Sequence, residues 1–170
     1  MSAIASFYLM PREKSSELIA AAEAQTQALT KKKWGLFKPK FPLNPDPFWT
    51  FLSTHAKELA EFPYSGYLLL DVDMLAEGVL ACDSPDEFGS KLWKITDPTF
   101  VTYSAESARQ AIKLIENANF SPARIKEFLD GEGRAAEYPT HVEMLQHAAS
   151  CFKAWLSSVT DETTGILNIG

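Results

Sequence analysis

The sequence predicts an α+β fold: one domain over residues 1–170, with a small mixed sheet that includes both terminal strands, covered by about five helices. Three observations predict it. Apolar, aromatic-rich runs stand at the two extremes of the chain, "AIASFYLM" and "TGILNIG", and two end strands belong most simply to one sheet. Between them, apolar residues recur at helical spacing in stretches opened by capping residues. A chain of 170 residues also suffices for one core, since it buries about 70% of its unfolded surface without disulfide or metal.

In order, "AIASFYLM" reads as the first strand, ended by Pro11. From Arg12 to about Leu29 an Ala/Glu/Gln-rich stretch reads as a helix with Leu18, Ala22 and Leu29 on one side. Residues 30–45 form a loop with Gly35 and three prolines, and loops of that length in compact domains are often functional. Asp46 can cap the next helix and Pro47 fits its first position. Phe48, Phe51, Leu52, His55 and Leu59 form its stripe, and Pro63 stops it. "SGYLLL" reads as a buried strand leading into a short helical stretch, 71–77. "SPDE", Ser84 to Glu87, is a capping box that opens a brief helix. "KLWKI" and "TFVTY" read as strands on either side of an Asp97-Pro98 turn.

Ser104 then caps a helix with Ala108, Ala111, Ile112 and Ile115 on its inner face. Ser121-Pro122 opens another, with Ile125, Phe128 and Leu129 inward and Gly131 and Gly133 as its stop. Thr140 and Glu143 form a third capping box at the head of the longest helix, roughly 141–159. Its core stripe is Leu145, Ala148, Ala149, Phe152, Leu156 and Val159. Met144, Cys151 and Trp155 widen that face enough for two neighbours.

A hydrophobic content of 46% and a charged content of 22% are those of an ordinary globular protein. Cys82 and Cys151 are too few for a disulfide scaffold and fit reduced thiols in the cytoplasm. "MSAIASFYLM" has no basic flank and is ended by Pro11, so it predicts neither a signal nor a membrane span. Charge is uneven. Lys31, Lys32, Lys33, Lys38 and Lys40 lie together, and with these five set aside a net charge of −6 becomes −11 for the remainder. An acidic body repels nucleic acid and anionic membrane, except through this one lysine segment.

The "MSAIASFYLM" strand, the Trp-bearing helix at "FWTFL" and the turn into a helix at "FVTYSAESARQAIKLI" follow one another in a recognisable order. "YPTHVEML" at the head of the last helix and the closing "TGILNIG" complete it. The chain thereby resembles the YfbM-like family of small bacterial proteins of uncharacterised function. "KKKWGLFKPKFPLNP" has no counterpart there, and 66–95 departs from the pattern. The resemblance implies a cytoplasmic bacterial protein with an α+β fold. It implies no activity and no catalytic residue.

The histidines are few enough to weigh singly. His55 lies on the apolar stripe of its helix, where a core histidine satisfied by one hydrogen bond is commoner than a catalytic base. His141 falls in a first helical turn, where the helix dipole disfavours its charged form. Glu143, His147 and Cys151 at i, i+4 and i+8 offer the ligand types zinc accepts, or a thiol and its base. Glu143 already belongs to a capping box, however, and the chain has no HExxH or CxxC, so no metal is assigned. Asp71, Asp73 and Glu77 hold a cation only if a turn gathers them, and no calcium loop is present. His55, Asp71 and Asp73 stand as a polar-pocket candidate. No GxGxxG, GxxxxGK or GxSxG occurs, "GEGR" reads as a helix stop, and no cofactor is expected.

Lys31, Lys32, Lys33, Lys38 and Lys40 with Trp34 and Phe37 have the composition of a polyanion contact. The competing reading packs the aromatics on the domain while the lysines snorkel over its acidic surface, and it is favoured. No catalytic constellation outweighs its structural alternative. The sequence therefore favours a non-enzymatic protein-interaction module, immunity-type neutralisation of a basic partner being one form. The alternative is a small hydrolase or transferase using His55 or paired carboxylates.

Overall fold

A computed structural model describes residues 3–32, 46–81, 87–96 and 100–170. Strand β1 (Ala5–Pro11) leads through one 3-10 turn into helix α1 (Ser15–Lys32). Helix α2 (Pro47–His55), the short β2 (Lys57–Glu58), α3 (Tyr67–Leu75) and α4 (Glu87–Ile95) follow. Strand β3 (Phe100–Tyr103), helices α5 (Ala105–Asn117), α6 (Pro122–Gly131) and α7 (Thr140–Ser157) and strand β4 (Thr163–Ile169) complete the chain.

The fold is α+β, with the first and last strands paired side by side at the centre of the sheet. Its order is β2-β1-β4-β3. All three pairings are antiparallel, so the sheet is not mixed, and seven helices rather than about five cover it among the described residues. The β1–β4 register runs the full length of both strands, from Ala5 opposite Ile169 to Pro11 opposite Thr163. Alternation along the strands explains the two layers that enclose them. Ala5, Phe7, Tyr103 and Leu167 point into one core, under α3, α5, α6 and α7. Met10, Phe100 and Ile166 point into a second core on the other face, under α1, α2 and α4. A glycine is required at Gly165, because a Cβ there would stand 2.6 Å from Phe7 Cζ and 2.8 Å from Val159 Cγ2.

Local signals placed several elements correctly. The Asp46 side chain accepts hydrogen bonds from the Phe48 and Trp49 N–H groups at 3.1 and 3.2 Å. Ser104 and Ser107 exchange reciprocal bonds at the head of α5, and Ser121 caps α6. The predicted stripe of α7 is buried throughout, from Leu145 to Val159.

Other elements differ. "SGYLLL" is not a strand, since Tyr67 begins helix α3, which absorbs the expected short helix after it. "KLWKI" is the second half of α4, where Phe88, Leu92 and Ile95 face the second core at helical spacing. Residues 82–86, with the Ser84 half of the predicted capping box, lie outside the described residues. Helix α2 stops at His55, short of Leu59 and Pro63, and Lys57 and Glu58 pair with Leu9 and Tyr8. That pairing covers the β1 edge with a short, charged strand, a usual protection against edge-to-edge association. At α7 no capping box forms, because Thr140 is already inside the helix and Pro139 stands at its N-cap.

Candidate functional site

Helix α3 reads "YLLLDVDML" and carries apolar side chains on its outer face as well as its inner one. Leu68, Leu69, Val72 and Leu75 are buried against the first core, as expected. Tyr67, Leu70 and Met74, at i, i+3 and i+7, form the opposite stripe, and they are 50%, 40% and 52% exposed. A surface helix normally turns polar residues outward at those positions. Here the carboxylate of Asp71 is buried at 7% exposure while three large apolar side chains face solvent.

Asp71 is held by Arg134, 63 positions away, in a two-pronged pair: Nη1 to Oδ1 at 2.7 Å and Nη2 to Oδ2 at 3.0 Å. Arg134 also donates to Glu137, from Nε at 3.0 Å and from Nη2 at 2.8 Å. Glu137 in turn meets His141 Nε2 at 2.9 Å. Asp71 first, and Glu137 second, hold the Arg134 guanidinium above its ordinary pKa. Arg134 chiefly holds the Glu137 carboxyl below its own. Hydrogen bonds to the charged forms are the cause in both cases. The other imidazole nitrogen, His141 Nδ1, is shut off from solvent and has no hydrogen-bond partner among the described residues. It therefore lies out of reach as a general base.

A second clasp ties the approach to α3 onto α7. The Tyr64 hydroxyl lies 2.6 Å from His147 Nδ1, with the two rings edge-on. Beyond the helix, Asp73 Oδ1 accepts the Leu80 N–H at 2.6 Å and closes a turn in which Glu77 has φ +58° and Gly78 φ +105°.

The sequence candidates are placed as follows. His55 is not a core residue: it is exposed at the end of α2 with its ring against Phe51 at 4.4 Å. Its helix covers one face of the sheet, whereas Asp71 and Asp73 sit on α3 over the other, so no pocket joins the three. Asp71 is neutralised by Arg134 and Asp73 is spent on a backbone N–H, leaving only Glu77 of that acidic run exposed. No group of His, Cys, Asp and Glu suited to a metal ion occurs among the described residues. His147 is engaged by Tyr64 instead, and burial pushes the Cys151 thiol up, opposite to what a nucleophile needs.

Of the lysine segment, the backbone of Lys31 and Lys32 belongs to α1, which runs three residues into what was expected to be loop. Their side chains, and Lys33, Trp34, Phe37, Lys38 and Lys40 entirely, lie outside the described residues. The residues missed by sequence reasoning are Tyr67, Leu70, Met74 and Arg134. A helical wheel over 67–75 could have found the first three, because it sets them together on the arc opposite Leu68, Leu69 and Val72. Nothing local points from Asp71 to Arg134.

No family model, curated protein or solved structure matches the chain. Among the described residues, no helix is long and apolar enough to cross a membrane.

Proposed function

We propose that this protein is a non-enzymatic interaction module that docks a basic protein partner on the outward face of α3. The observation that carries the reading is the apolar stripe Tyr67, Leu70 and Met74 on the solvent side of α3, with the carboxylate of the same helix, Asp71, paired to Arg134. Burial of Leu68, Leu69, Val72 and Leu75 sets which way the helix faces, but it does not account for three large apolar side chains on the solvent side, where a surface helix ordinarily carries polar residues. An exposed apolar stripe of this kind marks a binding surface.

The partner's sign follows from the charge. A chain of net charge −6, with five of its lysines gathered at 31–40, repels a second copy of itself and attracts a basic surface. Neutralisation of a basic partner, as in immunity-type proteins, is one concrete form. Burying three side chains that are about half exposed contributes about 3 kcal/mol, roughly a hundredfold in Kd. Nothing in the geometry favours the hydrolase reading, because His55 and the carboxylates serve different faces of the sheet.

The test places a photo-crosslinking amino acid at Leu70 and, as control, at Lys113, which is exposed on α5. In host lysate, a basic protein should couple at position 70 and not at 113, and Tyr67→Ser with Met74→Ser should abolish it. Equal capture at both positions, or none at 70 by a folded protein, would refute the proposal.

A further inference from the structure

A cavity of about 460 Å³ lies on the other face of the sheet, where α1, α2 and α4 leave the ends of β3 and β4 uncovered. Its construction begins in the strands. Phe100 stands opposite Asn168, and cross-strand partners share a face. Two residues earlier on β4, Ile166 fills the second core and is fully buried. At Asn168 the same row carries a primary amide instead, half-buried, lining the cavity and without a hydrogen-bond partner among the described residues.

The facing wall is aromatic. Trp49, 38% exposed, lies 5.6 Å from Phe100, and Phe48 meets Phe100 edge-on at 5.2 Å. The hydroxyls at the rim are turned. Thr96 donates to the Leu92 carbonyl at 2.9 Å, which leaves its oxygen lone pairs as acceptors. No charged side chain is among the described residues that line the cavity. Nearby, the one carboxylate on the α2 cap, Asp46, is held by Gln25 Nε2 at 2.6 Å.

These features select a ligand. An aromatic wall favours a flat ring by stacking. A free primary amide offers one donor and one acceptor side by side, and pairs with a ring edge that carries the complementary two. With no cationic side chain among the described lining residues, a phosphate or carboxylate is disfavoured, since it would be desolvated without a counter-charge. The volume falls within the range of small-molecule sites.

We infer that this cavity binds an uncharged planar heteroaromatic ring with adjacent donor and acceptor, the edge that a purine base presents, with Asn168 reading the edge and Trp49 stacking on the ring. The site lies across the sheet from α3 and does not depend on the docking reading.

The experiment titrates ¹⁵N-labelled protein with adenine, following the Asn168 side-chain amide and the Trp49 indole N–H. Saturable shifts at both, with Kd below about 1 mM, are expected. Asn168→Ala and Trp49→Ala should each weaken binding by about tenfold or more, while Trp93→Leu on the exposed side of α4 leaves it unchanged. Adenosine monophosphate should bind no more tightly than adenosine. If Asn168→Ala does not fold, Asn168→Asp keeps the shape, removes the donor, and must weaken adenine to the same extent. Absence of saturable shifts at the solubility limit of adenine overturns the inference. So does binding that survives loss of the Asn168 amide, or toluene binding as well as adenine, since either reduces the site to an apolar gap.

Discussion

Three consecutive leucines at the start of α3 test its orientation directly. Leu68 and Leu69 are 3% and 0% exposed, while Leu70 is 40% exposed. Truncating a buried leucine to alanine costs its transfer term plus a cavity term, about 3 kcal/mol at each of positions 68 and 69. Leu70→Ala removes a side chain only three-fifths buried, and solvent fills the space, so no cavity term applies. Its cost is about 1 kcal/mol, reduced slightly by the better helix propensity of alanine. In a protein of this size the first two variants should lower Tm by about 6–12 °C and the third by about 2–4 °C. Urea titration at fixed m-value would give the same ranking as a midpoint shift. The order costly, costly, cheap belongs to a helix. A half-buried strand would group Leu68 with Leu70 and set Leu69 apart, because its side chains alternate. If Leu70→Ala costs as much as Leu69→Ala, or if Leu68→Ala is near neutral, both the helix orientation and the exposed stripe are wrong.

Gly165→Ala should destabilise by about 2–3 kcal/mol in chemical denaturation, because the new methyl collides with Phe7 and Val159. A near-neutral result would mean that the sheet and α7 are less closely packed than described. Tyr103→Phe removes the buried hydroxyl that donates to the Val79 carbonyl at 3.2 Å and should cost about 1 kcal/mol, without a change in fold by circular dichroism. Glu137 has a lowered carboxyl pKa, so the stability it contributes is full above the unfolded value of about 4.3 and is lost as pH falls through the lower folded value. Glu137→Gln should therefore lose less stability than the parent between about pH 5 and pH 3, and parallel acid limbs would contradict the Arg134–Glu137 pairing.

Much of the fold was legible because its signals are short-range. The caps at Asp46, Ser104 and Ser121 act on N–H groups two or three residues away, so the sequence alone contains both partners. The α7 stripe repeats over about four turns, enough for its period to stand out. The two end strands announced themselves by apolar, aromatic composition at both extremes. Even the α+β class followed from them, since two such strands need one sheet.

The sequence by itself determined which segments carry strong local order, the α+β class and the acidic balance of the chain. Tertiary structure alone decided what became of the short apolar runs. "GYLLL" and "KLWKI" are too brief to show a period, and whether such a run is strand or helix depends on the surface that receives it. The same limit hid the candidate site. That Tyr67, Leu70 and Met74 face outward follows from the burial of Leu68, Leu69, Val72 and Leu75 only once 67–75 is known to be a helix, and no local preference encodes a partner as distant as Arg134 is from Asp71, 63 positions away. Likewise, Asn168 reads as one more residue of a terminal strand until the β3–β4 register sets it beside Phe100 at the mouth of a cavity. Caps and periods are properties of neighbouring residues, whereas the exposed face of a helix and the open end of a sheet are properties of what packs against them.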